Sequence, residues 1–425
     1  MKELFKKITP SFLIDKYHYL PALLGAFLYG FPSKKLKIVG ITGTNGKSTV
    51  VNLVSKILEE AGFRVASTSS IEFKIGEKKW PNTLRMTMMG GFQLQRFLRQ
   101  ALGAGCQYAV LEVTSEGIKQ YRHKFIDFSI AVLTNLTPEH IEAHGGFENY
   151  KKAKAKLFQM TKKIHVINLD DENVGYFLQF PSEKKISFTT LGTDRGLPSI
   201  SVIGAENTRI LPSGVKFFVN NVEFNLKLLG KFNIYNALAA VCVGLSQGIS
   251  LETCKLALEK TRGIPGRMEE VISRPFKVIV DYAFTPNALE QVYLTLKNNF
   301  NPLKIICVLG SCGGGRDKWK RPVLGKLAAR FCDEIIVTNE DPYDEDPGEI
   351  IEQIADGTKG KAKKILNRRE AIRGALKLAN SGDLIIITGK GCEPSICLAK
   401  GKRIPWDDRM VVREELKRLK ISLVR

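Results

Sequence analysis

The sequence predicts an α/β protein with two main domains: a P-loop domain on a mostly parallel sheet, and a Rossmann-like, doubly wound C-terminal domain. From residue 36 onward, apolar strand-like runs alternate with helical segments, which is the pattern of a parallel sheet covered on both faces. A glycine-rich loop follows the first of these runs, and a polar break near residue 274 begins a second alternating series. The length of 425 residues allows two or three domains of ordinary size.

The N-terminal extension, residues 1–35, contains the run YLPALLGAFLYGF between Tyr19 and Phe31, with lysines on both sides. This run is too short to span a bilayer. No small-residue cleavage site follows it, so we do not expect a signal peptide. We expect a helix that docks on the next domain. The alternative is a basic interfacial helix that makes peripheral contact with the inner face of the membrane.

Composition narrows the class of protein. Lysine and arginine outnumber aspartate and glutamate by 64 to 43, a formal net charge of +21, which suits nucleic acid, a membrane surface or anionic small substrates. No Lys/Arg block with interleaved aromatic residues occurs, so we expect no nucleic-acid partner. The eight cysteines lie mostly inside apolar runs without paired C-x-x-C spacing. This usage predicts reduced thiols in a cytoplasmic protein and no zinc site.

The central domain, residues 36–264, opens with the strand candidate KIVGIT, the loop GTNGKSTV, and apolar residues at helical spacing up to Gly62. Backbone N–H groups and the helix dipole at such a junction can hold phosphate. Lys47 can reach the terminal phosphates, and a hydroxyl after it can hold Mg²⁺. The usual G-x-x-x-x-G-K-[ST] pattern has glycine where this chain has Ile41. We predict that ATP binds Gly43, Thr44, Asn45, Gly46, Lys47, Ser48 and Thr49.

The remaining strand candidates divide between the two predicted domains. YAVLEVTS, IAVLTNL and IHVINLDD belong to the central domain, and KVIVDYA, KIICVLGS, EIIVTNEDP and DLIIITGKG belong to the C-terminal domain, residues 265–425. Ligands of doubly wound sheets bind at the carboxyl ends of the strands, where the polar segments of this chain follow. The sequence around Gly263, Pro265 and Gly266 predicts a hinge between the two domains.

Ten motifs occur in one order: TGTNGKS, EVTSEG, NLTPEHIEAHG, YKKAKAKLF, GKFNIYNALAA, GIPGRMEEV, DYAFTPNALE, GGGRDKWKRP, EDPYDEDP and GKGCE with DDR. In this order they resemble the Mur ligases, in particular the MurE type that adds the third residue to the cell-wall peptide. The resemblance implies an ATP-dependent amide ligase of peptidoglycan precursor synthesis. The carboxylate of a UDP-N-acetylmuramoyl-dipeptide would become an acyl phosphate, and the amine of an amino acid would displace phosphate.

The resemblance also implies roles for individual residues. The implied catalytic residues are Lys47, Glu112, His140, Lys154 and Arg316. The implied Mg²⁺ ligands are Ser48, Glu112 and His140, two oxygen donors and one imidazole. Asn233, Asn236 and Arg267 join the loop in binding nucleotide. Lys154 matches the lysine that this family carbamylates, although its neighbouring lysines also suit an ordinary solvated helix face.

Substrate residues are implied in the same way. Thr87, Ser115, Gln120, Arg122 and Arg316 would hold the nucleotide-sugar peptide. Asp341, Tyr343, Glu345 and Glu393 would receive the amino acid. The stretch EDPY stands where diaminopimelate-adding members have DNPR, so Tyr343 replaces the arginine that grips a distal carboxylate. The acidic residues therefore favour lysine or another diamine as the acceptor. Two alternatives are that Tyr343 hydrogen-bonds a carboxylate of the acceptor and that the stretch is an ordinary acidic surface turn.

Further departures from the family pattern leave alternatives open. Phe284 and Cys392 stand where the family has histidines, and Asn287 replaces an aspartate. Where the family has TTP, this chain reads TMM from Thr87 to Met89, so a single threonine remains. One alternative is another ligase of the superfamily, folylpolyglutamate-like or cyanophycin-like. The other is a non-catalytic nucleotide-binding homologue, against which the retained metal and phosphate residues argue.

The short N-terminal extension raises the question of which group, UDP or a lipid, carries the donor peptide. MurE-type enzymes have an N-terminal domain that grips UDP, whereas about 35 residues precede the first strand candidate here. We expect either a reduced UDP platform on the helix of residues 17–31 or a lipid-linked carrier near the membrane. We expect the protein to act as a monomer on small-molecule substrates.

Overall fold

The computed structural model describes residues 11–84, 86–193, 196 and 200–420. The first ten residues of the predicted N-terminal extension lie outside this range. The extension forms helix α1 (Ser11–Leu28), which contains Pro21, and a 3-10 helix, Pro32–Lys35. None of the helices in the described ranges combines the length and apolarity that crossing a membrane requires.

The central domain is built on a nine-stranded sheet. Its strands are β1 (Lys37–Thr42), β2 (Val65–Thr68), β3 (Glu72–Ile75), β4 (Lys78–Pro81), β5 (Tyr108–Glu112), β6 (Phe128–Leu133), β7 (Ile164–Asn168), β8 (Lys184–Thr189) and β9 (Ser201–Gly204). The order across the sheet is β4-β3-β2-β5-β1-β6-β7-β8-β9. Only the pairs β2–β3 and β3–β4 are antiparallel, and β1 lies in the middle between β5 and β6, so the predicted mostly parallel sheet is confirmed.

Helices cover both faces of this sheet. Helix α2 presents Val51, Val54 and Leu58 to one core, as its periodicity predicts, and ends before Gly62, whose φ of +86° suits glycine. The opposite core contains residues of α3 and α6. The helices are α2 (Lys47–Glu60), α3 (Gly91–Gly103), α4 (Ser115–Lys119), α5 (Ile141–His144), α6 (Phe147–Met160), α7 (Val174–Leu178), α8 (Phe232–Ser246) and α9 (Leu251–Glu259).

A three-stranded antiparallel sheet follows β9 and contributes Val215, Phe217 and Phe224 to the core beneath α2 and α8. The phenyl rings of Phe217 and Phe224 stack at 5.2 Å between centroids. This sheet was not predicted from the sequence. Its strands are β10 (Glu206–Leu211), β11 (Gly214–Val219) and β12 (Val222–Leu226).

The C-terminal domain is a second doubly wound unit, as predicted. Its six-stranded sheet has the order β13-β14-β18-β15-β16-β17, and only β13 and β14 pair antiparallel. The side chain of Asn299 donates to the carbonyl of Leu211 in the central domain at 2.6 Å. The elements are β13 (Glu269–Ile272), β14 (Lys277–Val280), α10 (Pro286–Phe300), β15 (Ile305–Leu309), α11 (Lys320–Phe331), β16 (Glu334–Thr338), α12 (Pro347–Asp356), β17 (Ala362–Ile365), α13 (Arg368–Leu378), β18 (Leu384–Ile387), β19 (Ser395–Cys397), β20 (Arg403–Pro405) and α14 (Asp408–Arg418).

Candidate functional site

The glycine-rich loop joins β1 to the N-terminus of α2, as predicted. The Lys47 ammonium group donates to the carbonyls of Gly43 at 3.1 Å and Thr44 at 2.8 Å. Gly46 has a φ of +83°, and a Cβ there would lie 2.4 Å from the amide oxygen of Asn236 on α8. The backbone conformation therefore favours glycine at this position, and a larger residue would also displace the Asn236 side chain.

Glu112 organises the hydroxyl groups beside the loop. It ends β5, the neighbour of β1, and its carboxylate accepts from the Ser48 hydroxyl at 2.7 Å and from the Ser70 backbone N–H at 3.0 Å. Lys47 Nζ lies 3.9 Å from the same carboxylate. Arg267, from the segment that enters the C-terminal domain, reaches the Ser70 hydroxyl at 3.2 Å. Predicted residues from three parts of the chain therefore meet at this point.

Lys154 is buried, unlike its neighbours Lys152 and Lys156 on α6, which are exposed. Its amine donates to the Gly43 carbonyl at 2.6 Å, the same carbonyl that Lys47 contacts. Burial first, and then the nearby charge of Lys47, lower the pKa of Lys154 well below its ordinary value. The solvated helix face that the lysine run also suited is therefore wrong for Lys154.

Helix α8 places Asn233 and Asn236 behind the loop. The Asn236 amide donates to the Asn233 side chain at 2.9 Å, and Asn233 donates to the Leu229 carbonyl at 2.7 Å. On the other side, the Asn135 side chain accepts from the Asn45 backbone N–H at 2.9 Å. The contact with Asn135 holds the loop backbone at Asn45, whereas the bonds of Asn233 and Asn236 hold those two side chains in place on α8.

His140 and Arg316 meet across the two domains. An Arg316 terminal nitrogen lies 3.3 Å from His140 Nδ1. Burial first, and then the Arg316 charge, lower the pKa of His140 to about 2, so the imidazole is neutral at neutral pH. A neutral imidazole is the form that can bind a metal ion.

Two short segments join the domains beside this pair, and we call residues 139–142 and 316–320 together the clasp. The Asp317 carboxylate accepts from the backbone N–H groups of Ile141 at 3.1 Å and Glu142 at 3.0 Å. Lys320 forms a buried ion pair with Glu139 at 2.8 Å. Asp317 and Glu139 were not predicted, because their partners lie 175 to 181 residues away along the chain.

Apart from Arg316, which contacts His140, the residues predicted to hold the donor substrate lie around α4 and the segment after it. The Ser115 hydroxyl is 3.1 Å from His144 Nε2. The Arg122 guanidinium donates to the Met88 carbonyl at 2.7 Å and also contacts the Gln120 side chain. Thr87 is the residue before Met88 in the chain. The structure therefore brings the Arg122 side chain to the segment that contains Thr87.

The acidic residues expected to meet a cationic acceptor already contact cations of this chain. Lys390, which was not predicted, lies 2.9 Å from Asp341 and also pairs with Glu393. Arg321 pairs with Glu345 at 2.9 Å. Each of these three carboxylates therefore already has a cationic partner within this chain, and their role in receiving a cationic acceptor stays a prediction. Tyr343 has a φ of +53° and lies beside this cluster.

Phe284 and Cys392, which depart from the family pattern, each make a contact with a residue of this chain. The Lys320 ammonium group lies 4.9 Å from the centroid of the Phe284 ring, within cation–π distance. The Cys392 thiol lies 3.3 Å from the carbonyl of Pro265, in the predicted hinge. Burial raises the pKa of Cys392, so its thiol is protonated at neutral pH.

The donor set beside the loop is compatible with Mg²⁺. Ser48 and Glu112 supply a hydroxyl and a carboxylate in hydrogen-bond contact, and Mg²⁺ prefers oxygen ligands. Within the described ranges, no group of three or more His, Cys, Asp and Glu side chains lies together.

The fold and the site define a P-loop protein with two α/β domains that meet beside the loop. The family model of the Mur ligase middle domain matches residues 41–244, and that of the Mur ligase glutamate ligase domain matches residues 266–391. The chain is 36% identical to a UDP-N-acetylmuramyl-tripeptide synthetase of Roseiflexus sp. (strain RS-1), over 97% of this chain and 84% of the relative. It therefore belongs to the Mur ligase family, the ATP-dependent ligases of peptidoglycan precursor synthesis.

Another relative and two solved structures are also similar to this chain. A UDP-N-acetylmuramoyl-L-alanyl-D-glutamate–2,6-diaminopimelate ligase of Syntrophomonas wolfei is 38% identical over 93% of this chain and 81% of the relative. A solved structure of a ligase with the same name is 30% identical with a TM-score of 0.60, covering 91% of this chain and 79% of that one. Folylpolyglutamate synthase of Mycobacterium tuberculosis has a TM-score of 0.70 at 20% identity, covering 87% and 92%, and shares the fold.

Proposed function

We propose that this chain joins an amino acid to the carboxylate of a UDP-N-acetylmuramoyl-dipeptide and converts ATP to ADP and phosphate, as a monomer in the cytoplasm. The observation that carries this proposal is the meeting of Arg267 with the hydroxyl of Ser70 beside the loop, and of Arg316 with His140. Two cations of the C-terminal domain thus lie against the side of the central domain where we propose that phosphate binds. This arrangement suits phosphoryl transfer between two anions.

The chain's own residues have distinct tasks in this reaction. Lys47 neutralises the terminal phosphates, and Ser48 and Glu112 would hold Mg²⁺, which neutralises phosphate charge. Arg316 stabilises the negative charge that develops as the donor carboxylate oxygen bonds to the γ-phosphorus and ADP leaves. The acceptor amine then attacks the acyl carbon, the bond to the phosphate oxygen breaks, and phosphate leaves.

We propose that the donor peptide lies beside Ser115, Gln120 and Arg122, and that the acceptor lies near Tyr343. Several relatives are named as 2,6-diaminopimelate ligases. Tyr343 has no positive charge with which to bind a distal carboxylate, and Asp341 and Glu393 share Lys390. The acceptor is therefore tested with lysine, diaminopimelate and ornithine in separate reactions.

The experiment measures ADP release with ATP, Mg²⁺ and UDP-N-acetylmuramoyl-alanyl-glutamate, with each acceptor and without one. We expect turnover that requires both the nucleotide peptide and one amino acid. Turnover with a folate and glutamate instead would contradict the proposed substrate class. ATP binding without turnover on any acceptor would contradict catalysis and favour a nucleotide-binding homologue.

We propose that Lys154 is carbamylated. Because burial lowers its pKa, a larger share of the amine is in the neutral form, which adds to carbon dioxide and releases one proton. The carbamate keeps one N–H for the Gly43 carbonyl and adds a negative charge near Lys47. We expect that carbon dioxide-free buffer and Lys154→Ala each lower activity roughly 10- to 100-fold, and that bicarbonate restores only the parent.

A carbon-13 carbamate signal from labelled bicarbonate gives a readout that is independent of activity. The control is Lys152→Ala, which removes an exposed lysine from the same helix and is expected to keep both the signal and the activity. A parent protein without this signal, or equal activity with and without bicarbonate, would exclude the modification.

A further inference from the structure

Helix α1 has an unusual distribution of side chains. Its small residues face the protein: Ala22 and Ala26 are buried, and a Cβ on Gly25 would lie 2.9 Å from the backbone of Phe92 on α3. Its large apolar residues face outward. The exposed fractions are 74% for Tyr17, 55% for Leu20, 37% for Leu23, 54% for Leu24, 74% for Phe27 and 60% for Leu28.

Exposed large apolar side chains are concentrated on this outward face of α1. Of the fourteen large apolar side chains that are exposed in the described part of the chain, six lie on α1. Contiguous exposed apolar surface of this kind marks an interaction site, whereas single exposed residues do not. A helix that only needed to dock on its domain would bury its large residues and expose its small ones.

The surroundings of the face are basic. Lys34 and Lys35 are exposed in the 3-10 helix that follows α1. The sequence contains no aspartate or glutamate between Asp15 and Glu59, and α3, which packs on α1, contains none and exposes Arg96 and Arg99. An apolar helix face with a cationic border is complementary to the surface of an anionic bilayer.

The contact between α1 and the domain is close and specific. A Cβ on Gly91 of α3 would lie 2.5 Å from the Cβ of Ala22, so the two helices approach as closely as small residues permit. The Tyr19 ring packs against Phe125 at 5.3 Å between centroids. Phe125 follows the segment that contains Gln120 and Arg122. A partner bound to α1 would therefore lie near the proposed donor-binding segment.

We propose that the outward face of α1 binds an anionic lipid bilayer and holds the central domain at the membrane surface. The helix lies in the plane of the headgroups, with Leu20, Leu24 and Phe27 inserted and Lys34 and Lys35 in contact with anionic lipid. The inference goes beyond the proposed ligase activity and does not depend on it.

The test is flotation of the full chain with vesicles of phosphatidylcholine containing about 30% phosphatidylglycerol, against vesicles of phosphatidylcholine alone. We expect binding to the anionic vesicles that weakens at high salt. The variant L20Q/L24Q/F27Q should lose roughly tenfold or more of this binding, and K34E/K35E should lose most of it. The matched control, L256Q/L303Q/L366Q, removes three exposed leucines elsewhere and should bind as the parent does.

Other outcomes would overturn the proposal. Equal binding by the parent and by L20Q/L24Q/F27Q would exclude α1 as the contact. A parent that does not bind anionic vesicles, and forms a dimer that this variant dissociates, would show that a second copy covers the face. Because vesicle binding requires no nucleotide or amino acid, a failure here leaves the ADP-release experiment unaffected.

Discussion

Replacing Lys47 with methionine is expected to lower kcat/KM for ADP release by a factor on the order of 10³ while the fold is retained. The ammonium group contacts the loop carbonyls of Gly43 and Thr44 and lies 3.9 Å from Glu112, at the point where the loop meets α2. Methionine keeps an unbranched apolar side chain, one atom shorter than that of lysine, but cannot neutralise a phosphate. The measurement is steady-state ADP release, together with the thermal midpoint of unfolding.

The matched control is Lys56→Met, which removes a partly exposed lysine from the same helix away from the loop. We expect that variant to keep activity within about twofold of the parent, since surface substitutions have small effects. Comparable losses in both variants would mean that the helix, and not the Lys47 charge, is being perturbed. An unchanged rate in Lys47→Met would exclude a role of this lysine in phosphoryl transfer.

Replacing Lys390 with methionine is expected to have the largest effect on stability. Its side chain is 1% exposed and pairs with the carboxylates of Asp341 and Glu393. Burial alone would lower the pKa of Lys390, but Glu393 and Asp341 raise it above its ordinary value. Methionine would leave these two carboxylates without their cation, at a cost of about 3–5 kcal/mol.

Denaturant unfolding of the full chain, monitored in the C-terminal domain, measures this effect. The control is Lys363→Met, which breaks an exposed pair with Glu334 and should change stability by less than about 1 kcal/mol. Equal stability of the two variants would show that the Lys390 pairs contribute no more than a surface ion pair.

Periodicity and apolar runs predicted much of the fold. The run KIVGIT became β1, in which every residue after Lys37 is buried, and the apolar repeat after the loop became α2. Strands β2, β3 and β4 were not predicted, because four-residue segments with Ser, Thr and Lys carry little apolar signal. The boundary between residues 264 and 265 stays a prediction.

Residues of the candidate site were predictable where they belong to a short sequence motif. The loop and the end of β5 are such places, and Lys47, Ser48 and Glu112 meet there. Pairings between distant segments were not predictable, because a sequence does not show which charges neutralise each other. The acidic stretch near Asp341 therefore looked available to a ligand, although Lys390 contacts it.

The clasp has a mechanical consequence. Asp317 and Lys320 join the domains at the clasp, whereas Asn299 of α10 contacts Leu211 on the three-stranded sheet. If α10 acts as the pivot, a small rotation of the C-terminal domain separates all the clasp contacts together. Opening would then be a switch between two discrete arrangements, and in many enzymes an opening step of this kind limits product release.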